Sequence, residues 1–390
     1  MKPGTDLSPR NPSLDSSPPV TYRYGLPHRA RSAGPGRFPS SIDRRMDIRE
    51  LARELKLSIS TVSRALNDAD EVSAKTRERV RAAALELGYA PSKSAASLRR
   101  GRLDIVGLML PVRREEETYT LGIFMRLADG LQSVLSQHGM DLVMYSSESW
   151  DDEFARLRRI VDRRQVDGVI LAGTRRHDER LDYVASRNFP FVALGRSESG
   201  GEHTWIDLDF EAAAAAGVAR LVAGGHRRIA LAVPDGDAMQ AHIYLRAWKK
   251  AMKKHGLEVP AGYVQRNRLS ERGGYLATEA LLALDDAPDA LMFQSDCMAI
   301  GAYRKLHEMG QVPGRDLAIS AGVLAGEVSE YLAPPLSGFT LDARGLGQRL
   351  ARALLAQLPE LADTYRAERE PVLWPLALRD NDDAASPAAR

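Results

Sequence analysis

The chain has 390 residues, 44% of them hydrophobic, which is long enough for a sizeable core and two or three domains. A single cysteine excludes an internal disulfide, and there is neither an apolar signal core nor a run of the roughly 18–20 apolar residues that a membrane helix needs. The net charge of +2 divides into +5 over residues 1–45, +4 over residues 46–102 and −7 over the rest, so any polyanion is expected to meet the front of the chain.

Residues 1–45 are rich in proline, serine, glycine and arginine and show no apolar period, which predicts a disordered basic leader. Two interpretations stay open. The leader is either a basic arm that strengthens DNA binding, or an unstructured stretch upstream of a true start at Met46. Met46 stands directly before the first periodic segment, which favours the second interpretation.

Residues 46–90 carry apolar positions with the spacing of three short helices. The stretch "KLS" breaks the pattern after the first helix, Ser73 is a predicted cap of the third, and Gly88 stands where a glycine usually ends a helix. Three small helices with one core and a tight first turn indicate a helix-turn-helix unit. The predicted inward residues are Ile48, Leu51, Ala52 and Leu55, then Val62, Ala65 and Leu66, then Val80, Ala83, Ala84 and Leu87.

The second helix carries small hydroxyl side chains, which are poor helix formers, on its predicted outer face. A short outer face fits the DNA major groove, and we expect this one to touch bases. Arg64 would donate two hydrogen bonds to a guanine, Ser60 would read a base edge, and Ile59 would touch a thymine methyl. The predicted phosphate contacts, with capping as the alternative for lone serines, are Ser58, Thr61, Asn67, Ser73 and Thr76.

From Asp104 onwards, short apolar runs such as "DIVGLML" and "RIALAV" alternate with helical stretches. The alternation predicts parallel sheets with helices on both faces, and the length predicts two lobes. The predicted fold class is α/β, with an N-terminal all-α helix-turn-helix headpiece and a two-lobed core of parallel sheets flanked by helices. The predicted helical stretches are 121–138, 151–164, 177–187, 209–223, 239–255, 271–283 and 297–309. The predicted domains are a disordered leader (1–45), headpiece (46–90), hinge or linker (91–102), core (103–379) and disordered tail (380–390).

Three stretches, "IRELARELKLSISTVSRALND", "GGHRRIALAV" and "SDCMAIGAYRKLHEMGQVPGRDLAI", together resemble the LacI family of bacterial transcriptional regulators. The resemblance runs from about Met46 to about Leu378. It implies a homodimer or tetramer, a DNA-binding headpiece and a core similar to periplasmic sugar-binding proteins. It also implies that Ile59 and Ser60 occupy variable specificity positions and that Arg64 occupies a base-reading position.

The segment 91–102, "PSKSAASLRRGR", is polar except for Leu98 and is either a plain linker or a helix that forms in context. The resemblance implies a hinge helix in which Leu98 wedges into the minor groove and kinks the operator. Arg99 and Arg100 would then neutralise nearby phosphates. Ala96 replaces the arginine that the family usually has there, which puts one hinge contact in doubt; packing of Leu98 against the core is the alternative.

Ligands of open α/β sheets bind beyond the carboxyl ends of the strands, so the cleft between two lobes is the expected pocket. Asp296 opens a helix after a strand; by resemblance it binds ligand hydroxyls or ring nitrogens, with an ordinary N-cap as the alternative. Phe124 would stack on a ligand or pack in the core. Arg196 would hydrogen-bond a sugar or lie solvated between the lobes, and Gln294 is a further candidate.

Several positions depart from the family pattern. Tyr244 replaces an arginine, and although a phenol does not replace a guanidinium, its ring could stack on a sugar; Trp248 is predicted to be core. The stretch "AGVLAG", residues 321–326, replaces the family's "G-F-D-D", so the ordinary contacts between lobes there are in doubt. Leu269 stands where purine-responsive relatives place an aromatic residue. A neutral or glycosidic sugar is therefore the expected ligand.

Enzyme signatures are missing: there is no P-loop, no "GxSxG", no "HExxH", no paired cysteine and no metal spacing among the histidines. We therefore expect no catalytic residue, metal or cofactor. The headpiece argues against a pure sugar-binding protein. The sequence predicts a cytoplasmic, sequence-specific repressor of carbohydrate-use genes, which binds operator DNA as a homodimer, has no membrane partner and responds to a sugar between its lobes. The alternative is a DNA-binding regulator whose degenerate pocket senses no ligand.

Overall fold

The computed structural model describes residues 46–66, 69, 71–89, 102–111, 121–147 and 149–380. The chain divides into two compact units, residues 1–91 and 92–390. The predicted leader, residues 91–101 of the predicted hinge and residues 381–390 of the predicted tail lie outside the described residues. No helix in the described ranges is long and apolar enough to cross a membrane.

In the described part of the first unit there are three helices, α1 (Ile48–Leu55), α2 (Ile59–Leu66) and α3 (Ala74–Glu86). Leu51, Val62 and Val80, one from each helix, are completely buried against one another in a small apolar core. The predicted helical spacing and its inward face are therefore confirmed for these positions. One predicted inward residue is wrong: Leu87 is 39% exposed, because α3 ends at Glu86 and Leu87 lies in its C-terminal cap.

Local chemistry sets the ends of these helices. Asp47 caps α1 with a reciprocal pair of hydrogen bonds to Glu50, and Lys56 ends α1 in the left-handed region at φ 55°. Ser73 Oγ accepts from the backbone N–H of Thr76 at 3.3 Å and caps α3. Gly88 follows α3 at φ +65°, a conformation that glycine adopts without strain. The predicted cap and stop of α3 are confirmed.

The described residues of the second unit form two parallel sheets and one short antiparallel pair. Its strands are β1 (Ile105–Met109), β2 (Asp141–Tyr145), β3 (Gly168–Ala172), β4 (Phe191–Leu194), β5 (Trp205–Leu208), β6 (Ile229–Pro234), β7 (Val264–Asn267), β8 (Ala290–Ser295), β9 (Ala318–Val323), β10 (Gly338–Thr340), β11 (Val372–Trp374) and β12 (Ala377–Arg379). One sheet has the order β11-β5-β4-β3-β1-β2 and the other the order β7-β6-β8-β9, while β10 pairs with β12.

Eight helices cover the two sheets within the described residues: α4 (Leu121–Leu135), α5 (Trp150–Asp162), α6 (Glu179–Ser186), α7 (Phe210–Ala223), α8 (Met239–Lys254), α9 (Glu271–Leu282), α10 (Asp296–Glu308) and α11 (Ala343–Leu355). We call the six-stranded sheet with α4, α11, α5 and α6 lobe 1, because its two faces hold two separate apolar clusters of these elements. The four-stranded sheet with α7 and α8 on one face and α9 and α10 on the other is lobe 2. The predicted fold class is confirmed.

Glycines allow the helices that cover lobe 2 to approach closely. A Cβ on Gly274 of α9 would lie 1.8 Å from the carbonyl oxygen of Met298 in α10. A Cβ on Gly301 of α10 would lie 1.8 Å from the carbonyl oxygen of Glu271. Any side chain at either position would therefore force the two backbones apart.

The C-terminal part of the chain contributes structure to both lobes. After α11, β11 joins lobe 1 beside β5, and β12 then pairs with β10. Asp380, the first residue of the predicted tail, accepts from Arg220 Nε of α7 at 2.8 Å and from Ser337 Oγ at 3.3 Å. The sequence analysis did not predict α11 or the strands β5, β7, β10, β11 and β12.

Candidate functional sites

The outer face of α2 is exposed while its inner face is completely buried. Val62 and Ala65 have no exposed surface, whereas Ile59 is 46% exposed and the Arg64 side chain is 59% exposed. Ser60 is also exposed and lies on the same helix. The three predicted base-reading residues therefore lie on the accessible part of one short helix, which a buried core holds in place.

Arg64 is loosely held. Its ion pair with Glu71 is long: the Glu71 carboxylate lies 3.8 Å from Arg64 Nε and is 72% exposed. An exposed pair at this distance contributes roughly 0–1 kcal/mol, so the guanidinium is available to exchange Glu71 for another acceptor.

The predicted phosphate contacts are tied into local hydroxyl networks. Ser58 Oγ accepts from the backbone N–H of Thr61 at 3.0 Å and lies 2.8 Å from Ser60 Oγ. Ser73 Oγ lies 2.9 Å from Thr76 Oγ1. These serines begin α2 and α3, so the capping role raised as the alternative is present. A capping hydroxyl at an exposed helix N-terminus still lies where a phosphate oxygen would bind.

The remaining predicted DNA contacts, Asn67, Leu98, Arg99 and Arg100, lie outside the described residues.

Most of the predicted ligand residues lie near the carboxyl ends of strands. Arg196 follows β4 of lobe 1, while Gln294 is the last residue but one of β8 and Asp296 begins α10 in lobe 2. Phe124 is only partly buried and packs against the apolar cluster of lobe 1, in agreement with the core-packing alternative. The sheet topology thus brings three of the five candidates, Arg196, Gln294 and Asp296, to the carboxyl ends of strands.

Arg196 is saturated by carboxylates. Its Nε donates to Asp207 at 2.7 Å, and its two terminal nitrogens donate to Glu211 at 2.9 and 2.7 Å. Although burial opposes the charge, these hydrogen bonds hold the pKa of the Arg196 guanidinium above its usual value. Glu211 lies in the first turn of α7 in lobe 2, so Arg196 forms an ion pair between the lobes. A ligand would have to displace Glu211 to use this guanidinium.

Asp296 is completely buried, and its carboxylate accepts hydrogen bonds from backbone groups of the same lobe. Its Oδ2 accepts from the backbone N–H groups of Ala325 at 2.8 Å and Gly326 at 3.3 Å. Arg126 of α4 donates in turn to the carbonyl oxygen of Ala325. The stretch "AGVLAG" therefore does make a contact between lobes, through a main-chain carbonyl rather than through the missing side chains. Ser295, not Asp296, is the N-cap residue of α10.

Tyr244 lies in the core of lobe 2 rather than on a free surface. Its ring has no exposed area, stands edge-on to Phe210 at 6.4 Å, and covers Gly322. This placement contradicts the predicted stacking on a sugar, which needs an accessible ring face. Trp248 is likewise completely buried, as predicted.

Two buried polar atoms lie near this ring. Among the described residues, neither the Tyr244 hydroxyl nor Gln294 Oε1 has a hydrogen-bond partner. Burial raises the pKa of the Tyr244 phenol well above its usual range. A buried polar atom without a partner costs about 1–3 kcal/mol, so each atom is a place where a hydrogen-bonding group would be stabilised.

Sequence reasoning missed a buried charged cluster in lobe 1. Arg180, 2% exposed, donates to Glu153 and Asp178, which are 0% and 2% exposed. Burial raises the pKa of the Glu153 carboxyl, with the Arg180 charge as the opposing effect. The only sequence signal is charge within amphipathic helices, where a solvated position is the usual outcome. In the parts of the chain that the structure describes, no group of acidic, histidine or cysteine side chains could hold a metal ion.

Comparisons with known proteins agree with this architecture. Residues 47–92 match the family model described as bacterial regulatory proteins, lacI family, and residues 218–380 match a periplasmic binding protein-like domain. The HTH-type transcriptional regulator RafR of Escherichia coli is 32% identical over 281 residues, covering 72% of this chain and 82% of RafR. The HTH-type transcriptional regulator AglR of Rhizobium meliloti (strain 1021) is 30% identical over 84% of this chain and 91% of AglR.

Solved structures give the same result. The lac repressor dimer bound to operator and the anti-inducer ONPF is 25% identical with a TM-score of 0.74, covering 86% of this chain and 98% of that one. The complex of the transcriptional regulator CelR with cellobiose is 25% identical with a TM-score of 0.62, covering 86% and 99%.

The fold and these matches define a sequence-specific DNA-binding transcriptional regulator, with a helix-turn-helix unit and a periplasmic-binding-protein-like core. The chain belongs to the LacI family of bacterial regulatory proteins. The resemblance drawn from the sequence is therefore confirmed.

Proposed function

We propose that the protein is a cytoplasmic repressor of carbohydrate-use genes, which acts as a homodimer and reads one half of a near-palindromic operator with each headpiece. The observation that carries the proposal is the exposed face of α2, where Ile59, Ser60 and Arg64 lie over a completely buried inner face. The proposal includes no enzymatic reaction, in keeping with relatives that are transcriptional regulators.

In this proposal, Arg64 leaves Glu71 and donates two hydrogen bonds to one guanine, a contact worth about 1–3 kcal/mol of discrimination. Ile59 and Ser60 supply an apolar and a polar contact at neighbouring base pairs. The hydroxyls of Ser58 and Ser73 and the neighbouring Thr61 and Thr76 bind phosphates and set the register.

Contacts by four further residues are proposed from the family. Asn67 is proposed as a phosphate contact, and the hinge would place Leu98 in the minor groove and Arg99 and Arg100 on phosphates.

Arg64→Ala tests base reading by this helix. We expect at least fivefold less discrimination at one base pair of the operator, measured by competition between duplexes that differ at single positions. Arg53→Ala is the matched control, because Arg53 is exposed on α1 and leaves the base-reading face intact. Equal weakening by Arg64→Ala on every duplex would make Arg64 a phosphate contact and would defeat the assignment.

We further propose that a neutral sugar binds between the lobes and changes operator affinity. CelR is a regulator whose structure contains cellobiose, and the ribose operon repressor of Escherichia coli (strain K12) is 26% identical over 84% of this chain. The unpartnered Tyr244 hydroxyl and Gln294 Oε1 support a hydrogen-bonding guest, or a water that it contacts, in lobe 2. Because ligand and operator affinities would be linked, each must change the other by the same factor.

The second candidate is a regulator that senses no ligand. It is favoured by the saturation of Arg196 with carboxylates and by the complete burial of Tyr244 and Asp296. Thermal unfolding with a panel of neutral mono- and oligosaccharides separates the two candidates. A sugar at 100 times its dissociation constant would stabilise the protein by about 2.7 kcal/mol, whereas an unchanged transition with every sugar would favour the second candidate.

A further inference from the structure

Main-chain hydrogen bonds join the two lobes across the cleft. The loop 173–178 follows β3 of lobe 1, and the loop 235–239 follows β6 of lobe 2. The Met239 N–H donates to the Thr174 carbonyl at 3.0 Å, and the Arg176 N–H donates to the Asp237 carbonyl at 3.0 Å. The two loops thus form a short antiparallel bridge. We call these two hydrogen bonds the latch.

The buried cluster of lobe 1 holds one side of the latch. The terminal nitrogens of Arg180 donate to the carbonyls of Ala172 at 3.2 Å and Gly173 at 3.1 Å, where the loop leaves β3. Asp178 Oδ2 accepts from Arg180 at 2.6 Å and from the Arg175 backbone N–H at 3.1 Å. The loop is therefore fixed at its start and in its middle by one guanidinium and its carboxylate.

Burial of these three charged side chains costs free energy, and a positioning role for the loop would explain why they are buried. Burying an arginine with two carboxylates carries a large desolvation penalty, and an apolar replacement is often equally stable. All three nitrogens of the Arg180 guanidinium do, however, donate within this network, and such a network selects one backbone geometry. The geometry selected here presents the Thr174 carbonyl and the Arg176 N–H to the other lobe.

We propose that the latch holds the two lobes in the arrangement seen in this structure without any ligand, and that Arg180 is the residue that positions it. The ligand response of the proposed function rests on the same lobe motion, but the latch itself does not require that a sugar binds. Because both partners are main-chain groups, side-chain rotation cannot release the latch. The lobes open only when the two loops separate.

Met239→Pro breaks the latch selectively. Met239 is the first residue of α8, where proline is favoured and the lost N–H serves no helical bond. The preceding residue, Ala238, has φ −62° and ψ 123°, which suits a residue before proline. The proline removes the donor and places a ring carbon against the Thr174 carbonyl. Met239→Ala is the matched control, because it removes the same side chain and keeps the N–H.

Hydrogen exchange of the full-length protein, read on a peptide that contains Arg176, reports the remaining latch bond. We expect exchange at Arg176 about fivefold faster in Met239→Pro than in Met239→Ala, the effect of losing one hydrogen bond. Small-angle scattering of the ligand-free protein should show a larger radius of gyration for the proline variant. Equal exchange and equal radii in the two variants would overturn the latch.

Asp178→Asn tests the positioning role of Arg180 with little change of shape. We expect severalfold faster hydrogen exchange at Arg176. Exchange in α9 should be unchanged, because α9 packs on the face of the lobe 2 sheet opposite to α8. Unchanged exchange at Arg176 would overturn the positioning role of the Arg180–Asp178 pair. Neither result depends on the sugar panel, so a failure of the latch and a failure of sugar sensing are distinguishable.

Discussion

Replacing Asp296 separates two roles for this residue, a ligand contact and a holder of the 325–326 loop. Oδ2 accepts from two backbone N–H groups, at 2.8 and 3.3 Å, and Asp296 is completely buried. Hydrogen bonds to charged groups contribute about 1.5–3 kcal/mol each, and the longer bond falls at the low end. Because removing the carboxylate also relieves its desolvation, we expect Asp296→Ala to lower the free energy of unfolding by about 3 kcal/mol. Asp296→Asn keeps one acceptor and should cost about 1 kcal/mol.

Urea unfolding of the full-length protein measures this loss. Asp342→Ala is the matched control: Asp342 caps α11 through a 2.8 Å bond from the Gly345 N–H, and an exposed cap typically contributes about 1 kcal/mol. The transition midpoint should fall in the order wild type, Asp342→Ala, Asp296→Ala, with an unchanged slope. An Asp296→Ala protein that unfolds at the wild-type urea concentration, yet loses sugar binding, would refute the loop-holding role.

Three further changes have expected outcomes. Gly274→Ala should destabilise lobe 2 by about 1–3 kcal/mol or more in urea unfolding, because its Cβ would lie 1.8 Å from the Met298 carbonyl oxygen. Tyr244→Phe should raise the thermal midpoint by removing an unpartnered buried hydroxyl, and should flatten the loss of stability above about pH 10, where the unfolded phenol ionises. Asp178→Asn should flatten the acid limb of the stability profile. Burial opposes the charge, but Arg180 holds the pKa of the Asp178 carboxyl below the usual 3.8, so wild type gains stability above that pH and loses it as pH falls through the lowered pKa.

Each of these changes has a control within the chain. Gly122→Ala meets no described atom within 4 Å and should not destabilise α4. Tyr183→Phe removes a hydroxyl that donates to Asp162 at 2.6 Å, so it should not stabilise the protein. Glu198→Ala removes an exposed carboxylate and should leave the acid limb nearly unchanged, because fully exposed pairs contribute little. Destabilisation by Tyr244→Phe, or tolerance of Gly274→Ala, would contradict the packing described for lobe 2.

The sequence predicts helices and strands well where the spacing of apolar residues agrees with the residues that start and end an element. The run "VDGVILAG" gives β3 because a buried parallel strand is continuously apolar, and the stripe of Leu51 and Leu55 gives α1 because one helical face is buried. The sequence fails where the signal is tertiary. In β7, "VQRN" is mostly polar and becomes a strand only by pairing with β6. The amphipathic α11 lacks the flanking apolar strands that marked the other helices.

The residues of the candidate sites also differ in how far the sequence predicts their positions. Ile59, Ser60 and Arg64 could be placed on one exposed face because helical periodicity within eight residues decides it. The partners of Arg196 and Asp296 could not be placed, because Glu211 and Ala325 meet them only after the lobes have folded. The ion pair of Glu153 with Arg180 could not be predicted either, because the two residues lie on different helices that meet only in the folded lobe.

The return of the chain to lobe 1 has a consequence for biosynthesis. The sheet of lobe 2 and its four helices lie within residues 210–323, so most of this lobe can assemble before the C-terminal part of the chain leaves the ribosome. Lobe 1 cannot, since Leu127 and Leu131 of α4 are covered by Leu346 and Leu350 of α11. The nascent chain must therefore carry an uncovered apolar helix until its final segment emerges, and its first lobe is completed last.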